Sequence, residues 1–157
     1  TSILQDHVFD FKQGARIIPI HGMLNSHKGD IIFGYGDDYD DIYKEMEKVE
    51  YPILLEKIKS FHYGRNEYYH QFLNFMEENK FEVFIVGHSC GLSDKTLLKT
   101  IFEHENCFAI KTYYYKDEQD HFNRRMAIAR HFDDKKAMRK KVLPFDNFYE
   151  VQQFAKQ

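Results

Sequence analysis

Residues 81–102 constrain this chain more than any other stretch. Phe81-Glu82-Val83-Phe84-Ile85-Val86 is a short apolar run rich in β-branched and aromatic residues, the composition of a buried strand. From Lys95 to Phe102 the apolar residues Leu97, Leu98, Ile101 and Phe102 fall at helical spacing. Between them lies Gly87-His88-Ser89-Cys90-Gly91-Leu92-Ser93-Asp94, a turn flanked by glycines. The pattern predicts strand, turn, helix, and in α/β proteins ligands and nucleophiles collect beyond the carboxyl end of such a strand. Two chemistries fit. Read as G-x-S-x-G, the turn is a nucleophile elbow with Ser89 as the attacking group of a serine esterase. Read as a small-residue turn ahead of a helix, it receives phosphate or ribose oxygens on backbone amides. In an elbow the helix follows the serine directly. Here Gly91-Leu92-Ser93 intervene, and Ser93 or Asp94 reads as the helix N-cap, which counts against the esterase.

The rest of the chain alternates in the same manner. Strands are expected at 15–20, 30–33, 81–86 and 107–115, with a last strand or extended tail at 142–145. Pro19 places the first at an edge or a strand end. Helices are expected around Ile53–Phe61 with Pro52 in the first turn, at Tyr68–Met76 closed by Asn79, at 95–102, and as one long element over 119–141. This alternation predicts an α/β fold, a Rossmann-like and largely parallel sheet with flanking helices, spanning 1–157 as a single domain. A chain of 157 residues is long enough to bury a core.

A net charge of −3 with both signs mixed along the length gives no general reason to expect nucleic acid or an acidic membrane as partner. No apolar run is long enough for a membrane span, and no signal-peptide pattern opens the chain, so a cytoplasmic location is expected. Cys90 and Cys107 then read as free thiols in a reducing compartment.

Other features could carry chemistry. His21-Gly22 ends an apolar run just as Gly87 does, so two strand ends could open into one cleft; a lone histidine there is more commonly structural. A hydrolase triad would need an acid and a histidine downstream, for which Asp117, Asp120, His121 and His131 are available. Gly34-Tyr35-Gly36 lacks the three spaced glycines of a dinucleotide fingerprint. Asp37, Asp38, Asp40 and Asp41 lack the glycine and closing glutamate of a calcium loop, and His104 with Cys107 does not make a zinc site, so no metal is expected. Arg124, Arg125, Arg130, Lys135, Lys136, Arg139, Lys140 and Lys141 concentrate positive charge, interrupted by Asp133 and Asp134. A solvated helical face is the default; a phosphate- or RNA-facing surface of a non-catalytic binding module is the sharper alternative.

Taken together, Ile18-Pro19-Ile20-His21-Gly22, Asp30 through Asp37, and Phe84 through Asp94 resemble the AbiH family, bacterial proteins named for abortive infection against phage. Ile101-Phe102-Glu103-His104, Ile110 through Tyr115 and Arg130-His131-Phe132 add to the resemblance, which runs from about Val8 to Val142. That family in turn resembles sirtuin-like NAD-consuming domains. The resemblance implies an anti-phage defence protein, with His21 as the base beside the nicotinamide ribose. Gly22, Gly87, His88 and Ser89 would then contact NAD, and Asp94 would shape the turn. It further implies a nucleotide partner, a phage-derived trigger and a homo-oligomer. The Gly-Asn-Gly-Phe-Asp and Phe-Asn-Tyr-Thr blocks usual in the family are not in this sequence. The expectation is therefore the C-terminal part of a larger sirtuin-like domain, catalytically incomplete by itself, with Thr1 as the last residue of the second block.

Overall fold

The computed structural model describes residues 16–23, 31–34, 41–49, 53, 56, 58–65, 67–114 and 117–146. Within these, the strongest sequence pattern forms as expected. Strand β1 (Phe81–Ile85) leads through a short 3-10 turn (Leu92–Asp94) into a helix (Lys95–Glu103), and this returns to strand β2 (Cys107–Thr112). The two strands pair in parallel, with Val83 opposite Ile110 and Ile85 opposite Thr112. A parallel pair requires a crossover, which the intervening helix supplies.

Among the described residues the helices, in chain order, are α1 (Asp41–Glu47), α2 (Glu67–Glu78), α3 (Lys95–Glu103), α4 (Glu118–Ala129) and α5 (Lys135–Lys141). A 3-10 segment, Ser60–Arg65, precedes α2. On the far side of β2, Val142 makes a single parallel bridge to Ile110, and the Leu143 amide donates to the Ile110 carbonyl. The chain therefore repeats its crossover through α4 and α5 and, among the described residues, returns one residue to the sheet.

The core lies between this sheet and α3, α4 and α5. Ile85, Cys90, Leu98, Phe102, Cys107, Ile110, Ile128, Phe132 and Val142 form one buried cluster. Phe102, with no exposed surface, stacks on Phe132 at 5.9 Å between ring centroids. Each such side chain contributes about 1.5–3 kcal/mol by leaving water. A second cluster of Ile32, Tyr63 and Leu97 holds the 31–34 and 60–65 segments against α3.

Among the described residues the structure differs from several expectations. The larger Rossmann-like sheet is not formed among the described residues, which contain a mixed α/β arrangement with a two-stranded parallel sheet and flanking helices. Residues 16–20 make no strand. Pro19 has no amide hydrogen to give a ladder, and its carbonyl instead accepts from the Gly22 amide at 2.8 Å, with Gly22 at φ 82°. Residues 31–34 make no strand either, although the Ile32 amide donates to the His21 carbonyl at 2.9 Å. The long helix expected over 119–141 is two helices. Asp134 caps the second by accepting from the Lys136 amide, and Glu103 reaches across from α3 to accept from the amides of Asp133 and Asp134. Of the helix expected over 53–61, residues 54, 55 and 57 lie outside the described residues, as does the acidic turn at 35–40; residues 58–61 are not α-helical, and Ser60 and Phe61 belong to the 3-10 segment Ser60–Arg65.

No helix among the described residues is long and apolar enough to cross a membrane.

Candidate functional site

The turn after β1 is held in a left-handed conformation at two places. Gly87 has φ 67° and Cys90 has φ 53°. A Cβ at Gly87 would meet no atom within 4 Å, so glycine is needed there for its backbone and not for space. Cys90 is the described non-glycine residue with positive φ, and its strain is held in place from outside the turn. His131, buried at the end of α4, donates from Nε2 to the Cys90 carbonyl at 2.8 Å. The Cys90 side chain is packed in the core, and burial pushes its thiol up to about 11. At neutral pH it is an inert thiol.

This geometry is not a nucleophile elbow. The strained residue is Cys90 and not Ser89, and a 3-10 turn separates Ser89 from the helix. The serine-esterase reading loses its structural basis.

Asp94 occupies the N-cap position of α3, as the sequence suggested, but its carboxylate does not cap. It points instead at three basic side chains from three parts of the chain. Lys59 Nζ donates to Oδ1. His21 Nε2 lies 3.4 Å from the same oxygen, and His88 Nε2 lies 3.4 Å from Oδ2. The Asp94 and Lys59 side chains are only 12% and 10% exposed, whereas the His21 ring is 41% exposed. The carboxylate is thus a buried hub and the imidazoles form its open rim.

The two histidines differ. His88 Nδ1 accepts from the Cys90 amide at 3.0 Å, which assigns the proton to Nε2, facing Asp94. That ring is committed at both nitrogens. In His21, Nε2 is shielded from solvent and lies toward Asp94, leaving Nδ1 as the ring nitrogen available to a ligand. Burial lowers the His21 pKa below the ordinary 6.5; Lys59 lowers it further and outweighs the opposing pull of Asp94, with His88 adding a smaller push downward. His21 is therefore a neutral imidazole at pH 7. For Asp94, burial acts to raise the pKa, but the Lys59 hydrogen bond and charge, together with both histidines, hold it below the usual carboxylate value.

His21, Gly22, Gly87, His88, Ser89 and Asp94 were the candidate residues. The structure brings His21, His88 and Asp94 into direct contact, with Gly87 and Ser89 in the same turn and Gly22 beside His21. The meeting point is not two strand ends, since residues 16–20 are not a strand. Lys59 was missed. It lies 35 residues from Asp94, and only its position between apolar Ile58 and the Ser60–Arg65 segment distinguished it from other lysines.

Among the described residues, no group of three or more His, Cys, Asp and Glu is arranged to hold a metal ion. A fixed ammonium already neutralises Asp94. The basic segment is partly consumed by the fold. Lys135 Nζ donates to the carbonyls of Ala129 and Phe132 at the end of α4. Lys141 Nζ donates to those of Phe102 and His104 at the end of α3. Arg124 pairs with Asp120 and also reaches the His88 carbonyl. Cations at helix carboxyl ends answer the free carbonyls and the dipole there.

Compared with known proteins, residues 1–116 match the family described as "Bacteriophage abortive infection AbiH". The match ends before α4, so Arg130-His131-Phe132 lies outside it. No curated protein and no solved structure matched the chain.

Proposed function

The chain belongs to the AbiH family of bacteriophage abortive-infection proteins, and from that premise we propose that it acts in anti-phage defence by hydrolysing NAD, with His21 as general base. Family membership itself suggests the anti-phage role. The observation that carries the enzymatic reading is the convergence of His21, His88 and Lys59 on Asp94, beyond the carboxyl end of β1.

Asp94 Oδ1 lies 3.4 Å from His21 Nε2, and Nδ1 takes the proton lost by the water that attacks at the nicotinamide ribose. Water adds to the anomeric carbon as the bond to nicotinamide breaks. The bonding pair neutralises the pyridinium, and neutral nicotinamide leaves without needing a proton. With the Cys90 amide held by His88, the amides ahead of it in the turn and the Ser89 hydroxyl would receive ribose or phosphate oxygens.

Incubation of the full-length protein with NAD, followed by chromatography, is expected to show nicotinamide release. His21→Ala is expected to lower the rate by about 10²–10⁴-fold, the usual contribution of a general base. Absence of nicotinamide, or equal release by the variant, would overturn the proposal.

A further inference from the structure

A cleft of about 490 Å³ lies between the Ser60–Arg65 segment and the first turns of α2. This is within the size range of small-molecule sites, roughly 300–1,000 Å³. Tyr63 and Tyr69 line it, stacked at 4.8 Å and nearly parallel, and Tyr63 also stacks on His21 at 6.2 Å. The cleft and the His21 ring thus share one aromatic wall. Opposite the Tyr63-Gly64-Arg65 turn, His70, Gln71 and Asn74 project from one face of α2, since residues three and four apart on a helix are neighbours.

We propose that this cleft holds the nucleoside monophosphate half of the nucleotide whose other half reaches His21. The lining suits that chemistry. The Gln71 and Asn74 amides each offer both donors and an acceptor, as the edge of a nucleobase requires. Tyr69, the half-buried ring of the stacked pair, offers apolar surface to the base. Arg65 offers the planar fork that binds phosphate, and the Glu67 carboxylate accepts from ribose hydroxyls. A cationic pyridinium ring would meet Arg65 at close range, so the half with the neutral base is the one that fits.

This inference rests on the nucleotide reading of the His21 site, but binding separates the two. AMP, adenosine and nicotinamide are titrated against the protein by calorimetry, with circular dichroism confirming that each variant is folded. AMP is expected to bind and nicotinamide not to compete with it. Gln71→Leu with Asn74→Leu should weaken AMP at least tenfold. Arg65→Ala should weaken AMP but leave adenosine unchanged. Failure of AMP to bind, or equal affinity in the Arg65 and Gln71/Asn74 variants, overturns the cleft assignment even if NAD is hydrolysed. AMP binding that follows this pattern supports the cleft even if NAD is not hydrolysed, in which case only the hydrolase reading falls.

Discussion

An aspartate at a helix N-cap ordinarily accepts from a backbone amide two or three residues on, which is worth about 1 kcal/mol. Asp94 forgoes that bond and faces Lys59 and two imidazoles. The arrangement makes Lys59 and His21 competitors for one oxygen, Oδ1. While Lys59 holds it, the charges around His21 favour the neutral ring. Lys59→Met removes that cation and frees Oδ1, leaving Asp94 to attract a proton onto His21, with the neighbouring His88 sharing Oδ2 as before. The His21 titration midpoint, followed by NMR of the ring signals, is therefore expected to move up toward or beyond the ordinary 6.5, and the acid limb of turnover to move with it. An unchanged or lower midpoint would show that Lys59 does not set the protonation of His21. Cys90 gives a second residue-scale expectation. With its thiol buried and raised to about 11, and Cys107 also buried and raised, the folded protein should show almost no reaction with a disulfide reagent at pH 8. Both thiols should react after denaturation.

The β1 turn is fixed less by its own residues than by α4, whose end supplies His131 to the Cys90 carbonyl. His131→Phe keeps much of the ring packing against Phe102 but removes the donor, leaving a buried carbonyl without that bond. A loss of about 1–3 kcal/mol is expected from denaturant melts. Faster amide exchange confined to residues 87–91 would show that the loop loosens before the core does. Loss of stability with no change in exchange there would show that His131 only fills space. Asp134→Ala should cost about 1 kcal/mol through the α5 cap. The sequence made β1, α3 and β2 legible because Phe81–Ile85 and Cys107–Thr112 are apolar runs bounded by turns, and Leu97, Leu98 and Phe102 keep helical spacing. The break between α4 and α5 was less visible, because apolar and basic residues continue through it. Asp133-Asp134 ahead of Lys135-Lys136 was the available signal, an acidic cap before a new first turn. The 16–20 run misled because its apolar residues pack as a turn. His21 and Asp94 were readable as chemistry-bearing residues, whereas their shared carboxylate contact with Lys59 depends on tertiary packing that no local pattern encodes.

At the scale of the whole molecule, the shifted groups bound the pH range of stability from both sides. His21 and His121 have folded pKa values below the ordinary 6.5, each chiefly through burial. Below that value the unfolded chain takes up protons on these rings before the folded chain does, so stability falls as pH drops through 6.5. Asp94 has a folded pKa below 3.8, and its contribution, complete above that value, is lost as the pH falls through the lowered one. On the alkaline side the signs reverse. Cys90 and Cys107 are raised above 9.0 by burial, so above pH 9 the unfolded thiols ionise first and stability falls. Lys99 is also raised: burial opposes this, but its bonds to Asp133 and Glu103 win, and its contribution is lost as pH rises past 10.5. The expected profile of urea midpoint against pH is a plateau between about 7 and 9 with a fall on each side. The His21→Ala and His121→Phe variants should flatten the acid shoulder below 6.5, and Cys90→Ala should flatten the alkaline one. A midpoint that stays level from pH 7 to 5 in the parent protein would mean that the imidazoles are not held neutral by the fold. His21 would then keep the ordinary imidazole value of 6.5, and the acid limb of turnover would fall there and not below it.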